Sequence, residues 1–382
     1  MDRRRRLAFL DRSRESRHVS ARKVVDMNCA TALLMTVATA SASMTAHPRA
    51  AIEPDPPMLP YHFVARPAPP PGTEFDNIAS VALTADNHLI ALNRNPDRAM
   101  IEYDQNNKFI RSFNPNIART PHGMRIDRFG NIWVIDSFMN VIMKLNAKGE
   151  PIATYGVRGE NAPWDDTKWN GMFNQPLDVN WDREDNFYVV QSHGGTSPPK
   201  SCTFCATYDS EQVRSQLQQS GQRAALVSNP PADPGSDPRV LKFDKNGRYI
   251  TSYSLKHGDG SPATIHSVIV SPQREVWVTD RQVKKIYVFD ENLKFKREIQ
   301  ENYLTCGLFV DSQGGLWMSA GADGLIAKLD WSGKVLGRIG KQGSNPDSNE
   351  IGEAHYLTVT PDLKTIYVAD TVSNHILKLE HN

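Results

Sequence analysis

Six stretches of the chain alternate apolar and polar positions through a strand, a tight polar turn and a second strand. They read IASVALTADNHLIALNR, PHGMRIDRFGNIWVIDS, PLDVNWDREDNFYVVQS, IHSVIVSPQREVWVTDR, TCGLFVDSQGGLWMSAG and AHYLTVTPDLKTIYVAD. Period-two alternation in β-branched and aromatic residues, broken by Asp, Asn, Gly or Pro, is the signature of half-buried hairpins. All but the last stretch are followed by two more such segments, as in AMIEYD…FIRSF or KIYVFD…FKREI, and the last by one, HILKLE. The repeating unit is therefore four strands long, with its final copy one strand short.

Equivalent positions fall at Ala79, His122, Leu177, His266, Cys306 and His355, at intervals of 43, 55, 89, 40 and 49 residues. Most intervals match the roughly 40 to 50 residues of a four-stranded propeller blade. The interval of 89 holds an inserted loop, 194–238, rich in Ser, Gln, Gly and Pro, between the second and third strands of unit three. The pattern predicts an all-β fold: a six-bladed β-propeller over residues 75–382. The segment 47–74 is proline-rich and cannot form a central strand, since proline donates no ladder hydrogen bond. Within it only YHFV, Tyr61 to Val64, can pair, and it is expected to supply the missing fourth strand of the last blade. Such a closure would remove two sheet edges, so truncating either end should destabilise the ring.

Residues 1–46 differ from the rest. Nine basic residues precede CATALLMTVATASASMTA, the order of a secretory signal, with cleavage expected near Ala42 to His47. A periplasmic or secreted location follows, with no membrane attachment after cleavage. The remaining chain holds 35 Lys and Arg against 39 Asp and Glu, with no basic cluster, which argues against nucleic acid as a partner. In an oxidising compartment Cys202 and Cys205, an isolated C-x-x-C pair, could form a disulfide. Nothing in the pattern calls for more than a monomer.

The chemistry sits in the first register of each unit. Histidine occupies it in units two, four and six, and alternate blades of a six-bladed ring lie about 120° apart around the axis. His122, His266 and His355 should thus converge in the central channel, as three neutral imidazoles around an open fourth position, a catalytic zinc arrangement. Copper or iron would also accept such ligands. The plain alternative is three channel-lining histidines held by backbone or water. Cys306 shares the register on an intervening blade, either packing or adding a ligand.

These stretches resemble the NHL-repeat propellers and, among them, the peptidyl-α-hydroxyglycine α-amidating lyases. The resemblance runs from about Ile78 to Leu379 and is carried by PHGMRID…GNIWVID, FNQPLDVNWD…FYV, IHSVIV…VWVTDR and AHYLTVT…IYVADTVSNHILKL. It implies that His122, His266 and His355 bind a catalytic zinc. It implies too a small-molecule or peptide substrate with a C-terminal carboxylate, for which Arg94 and Arg281, each following an inner hairpin, offer guanidinium forks. His193 falls where that family carries a tyrosine base, and an imidazole can accept a proton near neutral pH. Two positions depart from the family. Glu353 replaces a methionine, and Tyr356 replaces an acidic residue that helps hold a structural calcium. The implied reaction cleaves the carbon–nitrogen bond of a carbinolamide to an amide and glyoxylate. Other classes in play are a lactonase-like metal-dependent hydrolase or lyase and a non-catalytic NHL binding scaffold.

Overall fold

The computed structural model describes residues 55–160, 169–192 and 237–382. The basic leader, His193, Cys202 and Cys205 lie outside the described residues. Six four-stranded antiparallel sheets follow one another along the chain. Their inner strands are Ile78–Leu83, Pro121–Ile126, Pro176–Trp181, Ile265–Val270, Gly307–Val310 and Ala354–Val359. Each inner strand packs against the next, and that of the sixth sheet packs against that of the first. The chain is a closed six-bladed β-propeller.

Each hairpin is locked by its own turn residues. In blade 2, Asp127 Oδ1 accepts from the amides of Phe129 and Asn131 at 3.0 and 2.9 Å, while Oδ2 accepts from the Trp133 indole at 3.0 Å. An Asx turn of this kind competes with any straight continuation of the strand. Gly130 completes it at φ +80°, a conformation that costs a side-chain-bearing residue. Blade 5 repeats the device, with Asp311 holding the Trp317 indole at 2.8 Å.

Among the described residues the buried apolar side chains form six clusters, each at an interface between adjacent blades. Blades 2 and 3 share Trp133, Ile135, Val179 and Phe187, for example, and blades 6 and 1 share Tyr367, Ile376, Ile78 and Ile101. Every fully buried Leu or Ile there contributes about 1.5–3 kcal/mol, so a blade detached from its neighbours loses both apolar faces at once. The ring is therefore as stable as its seam.

That seam is closed by the proline-rich arm. Tyr61–Phe63 pairs antiparallel with His375–His381, in the register Tyr61 to His381 and Phe63 to Leu379. Val64 extends the pairing through its amide to the Lys378 carbonyl at 3.0 Å. Tyr61 also sets its ring edge-on to Trp317 of blade 5, at 5.8 Å. In blade 3, Phe187–Gln191 pairs with Arg239–Phe243, so the long inserted segment leaves and rejoins between the second and third strands.

Candidate metal centre

The ladder is irregular near the start of the inner strand in five blades. In blade 2 the ladder passes from Pro121–Asp136 to Met124–Val134, leaving one residue too many on the inner strand. Shifts of the same kind occur around Ala79, Leu177, His266 and His355. A β-bulge twists its strand and re-aims the extra side chain.

His122, His266 and His355 are turned into one cluster. Their ring centroids stand 4.7, 4.8 and 5.0 Å apart, close to an equilateral triangle. Each offers one ring nitrogen, and these three atoms lie within 4.8 Å of one another. The side chains are buried, at 6, 0 and 3% exposure.

The three intervening blades hold the rings. His122 Nδ1 bonds the Leu177 carbonyl at 3.1 Å, His266 Nδ1 the Cys306 carbonyl at 2.5 Å, and His355 Nδ1 the Ala79 carbonyl at 2.5 Å. A carbonyl only accepts, so each Nδ1 carries the hydrogen and each Nε2 is the lone-pair nitrogen. That tautomer, fixed by a backbone acceptor, is the one metal-ligating histidines adopt. The donor set and its outer hydrogen bonds fit a zinc-type ion bound by three imidazoles. Gly123 is part of the device: a Cβ there would stand 2.4 Å from the Leu177 carbonyl oxygen.

Burial pulls His355 down to about 4, against the pull of Glu353 and with the help of Arg94 and Arg281, so its imidazole is neutral at pH 7, as a ligand must be.

Tyr356 forms the floor. Its ring lies 4.8 to 6.1 Å from the three imidazoles, and its hydroxyl donates to the carbonyls of Leu177 and His266 at 3.4 and 3.3 Å. Beside it, Arg125 grips Asp178 through two bonds of 2.9 and 2.7 Å and reaches the Leu308 carbonyl at 2.9 Å. Ser267 adds a bond to Asp178 at 2.6 Å, so residues of four blades meet there. A calcium ion needs six to eight oxygen ligands. At Tyr356, where the related family carries an acidic ligand, an aromatic ring stands, and Asp178 beside it is already bound to a guanidinium, so among the described residues this place offers no calcium ligand set.

The other side of the cluster carries charge. Arg281 Nη2 donates to Glu353 Oε1 at 2.6 Å, and Thr371 Oγ1 donates to Glu353 Oε2 at 2.7 Å. Burial pushes Glu353 up, but Arg281, His355 and the Thr371 hydroxyl outweigh it and hold the carboxyl down at about 2. Arg94 donates through Nε to the carbonyl of Pro121, the residue before His122, at 3.2 Å. Cys306 is fully buried, its thiol pushed up by burial, with Sγ 3.9 Å from Glu353 Oε1. Its contribution to the cluster is its carbonyl.

The structure brings His122, His266 and His355 together, and it places Arg94 against the Pro121 carbonyl and Arg281 against Glu353. Sequence reasoning missed the carbonyls of Ala79, Leu177 and Cys306, the roles of Gly123 and Thr371, and the pair of Arg125 with Asp178. A second acidic group, Asp182, Glu184 and Glu291, is an ion-pair network: Arg274 bridges Glu184 and Glu291 at 2.9 and 2.6 Å, and Lys242 stands 3.6 Å from Asp182.

No family model matches the chain. Among solved structures it is similar to a gluconolactonase of Xanthomonas campestris, with a TM-score of 0.54 and 14% identity over 87% of this chain and 99% of that one. It is similar also to a streptogramin B lyase, with a TM-score of 0.52 and 14% identity over 84% and 98%. A virginiamycin B lyase of Staphylococcus aureus gives a TM-score of 0.50 and 10% identity over 84% and 98%. At these identities the likeness is one of fold, and the class is that of the six-bladed β-propellers. The histidine cluster in its channel could hold a metal ion.

Proposed function

We propose that this protein is a metal-dependent propeller lyase of the peptidyl-α-hydroxyglycine amidating type, exported to the periplasm or beyond, with zinc on His122, His266 and His355. The observation that supports the reading is the set of three Nδ1-to-carbonyl bonds, which fixes three buried imidazoles in the ligating tautomer. A scaffold that only binds partners at its rim has no use for such a device.

Bound zinc would supply charge withdrawal from an oxygen of the substrate. The chain's own residues do the rest. Arg94, beside the cluster, would orient a carboxylate, and the buried Tyr356 ring and imidazoles would limit the water around the reacting carbon. In the net reaction the carbon–nitrogen bond of the carbinolamide breaks, the hydroxyl proton passes to the amide nitrogen, and the hydroxyl oxygen becomes the aldehyde oxygen of glyoxylate. The proton acceptor is His193 on the family resemblance, and that residue lies outside the described residues.

A lactonase-like hydrolase on the same centre is the second reading, favoured by the fold shared with a gluconolactonase. Three imidazoles in place of carboxylate and asparagine oxygens weigh against it.

Metal analysis of the wild type and of the triple variant His122→Ala, His266→Ala, His355→Ala tests the centre. Assays of both with an α-hydroxyglycine peptide and with a sugar lactone then separate the reactions. Glyoxylate from the wild type alone supports the lyase; lactone opening without glyoxylate replaces it with the second reading; equal metal content in the two proteins removes both.

A further inference from the structure

Two guanidinium groups stand beside the histidine cluster at equivalent places, after the second strands of blades 1 and 4. They are in different states. Arg281, with 4% of its side chain exposed, is closed into an ion pair with Glu353 at 2.6 Å, and Glu353 in turn holds Thr371. Arg94 is half-buried, bonds the Pro121 carbonyl through Nε, and forms no ion pair among the described residues.

A closed pair presents little net charge. A second carboxylate brought to Arg281 would meet Glu353, and like charges at that distance repel strongly in a buried site. Among the described residues Arg94 has no carboxylate partner, and its fork suits one carboxylate.

Resting on the metal-centre reading above, we propose that Glu353 sets the charge of the substrate. Arg281, neutralised by it, faces a neutral polar group, while Arg94 takes a carboxylate. The site therefore selects molecules bearing one carboxylate over similar molecules bearing two.

The test is calorimetric titration with acetate and with malonate, first on the metal-free protein and then on the zinc-loaded one, so that failure to take up zinc would fault the metal reading without deciding this one. Arg94→Ala should weaken both anions by about tenfold. Glu353→Gln, which keeps hydrogen bonds to Arg281 and Thr371 but removes the charge, should tighten malonate by about tenfold and leave acetate within about threefold. The double variant Arg281→Met, Glu353→Met replaces the pair by apolar groups of similar size, an exchange a fold usually tolerates. It should keep the wild-type affinity for both anions within about threefold, because no guanidinium is released. A loss of about tenfold for either anion in the double variant would show that Arg281 grips carboxylate despite Glu353, and would overturn the proposal. An unchanged malonate-to-acetate ratio in a folded Glu353→Gln protein would overturn it as well.

Discussion

Blades 2, 4 and 6 and blades 1, 3 and 5 occupy the same register around one channel and contribute different parts of their residues. The first set gives side chains, His122, His266 and His355. The second gives main-chain carbonyls, from Leu177, Cys306 and Ala79, each accepting from the imidazole of the preceding blade. In the first set the residue type decides everything; in the second almost any residue that keeps the backbone in place would do. Symmetry of the fold is thus turned into a division of labour between imidazole and holder.

The contrast is sharpest if one imidazole is deleted. His266→Ala, at the most buried of the three, should reduce zinc uptake from about one ion per chain to none at micromolar zinc, read by mass spectrometry of the dialysed protein. A smaller effect comes from disturbing a holder through its backbone. Gly123→Ala pushes a methyl group against the Leu177 carbonyl and should weaken zinc binding by about 10- to 100-fold, measured by chelator competition. Changing only a holder's side chain should separate stability from metal. Leu177→Ala opens the cluster between blades 3 and 4 and should cost about 2–5 kcal/mol of unfolding free energy in a denaturant titration, while zinc affinity stays within about threefold. If zinc binding instead falls as far as in Gly123→Ala, the carbonyl is not the part that matters. Smallest of all, Tyr356→Phe keeps the floor and loses two long hydroxyl bonds, so stability should drop by about 1 kcal/mol or less, with the metal retained.

The propeller was legible because alternation and turn chemistry recur in every unit, and because a unit short of one strand at the end has to be completed from the other end of the chain. The histidine cluster was legible because a side chain is a letter, and a letter recurring in alternate units converts directly to an angle around the axis. A carbonyl has no letter, so Ala79, Leu177 and Cys306 read only as apolar fillers. Gly123 stood in the quoted motif without a reason until the approach of the neighbouring strand supplied one. The pair of Arg281 with Glu353 joins blades 4 and 6 beside the histidine cluster, and no spacing rule along the chain connects them. Arg125 and Asp178 meet in the same way, through the ring and not through the sequence.

The central claim is that main-chain carbonyls of three blades aim the imidazoles of the other three at one point. Anomalous diffraction at the zinc edge, on crystals of the zinc-loaded protein, addresses it directly. The account predicts one strong peak bonded to Nε2 of His122, His266 and His355 at about 2.0–2.1 Å, with all three Nδ1 atoms still on their carbonyls. A peak elsewhere, or an ion held through Nδ1 with the carbonyl bonds broken, would contradict it.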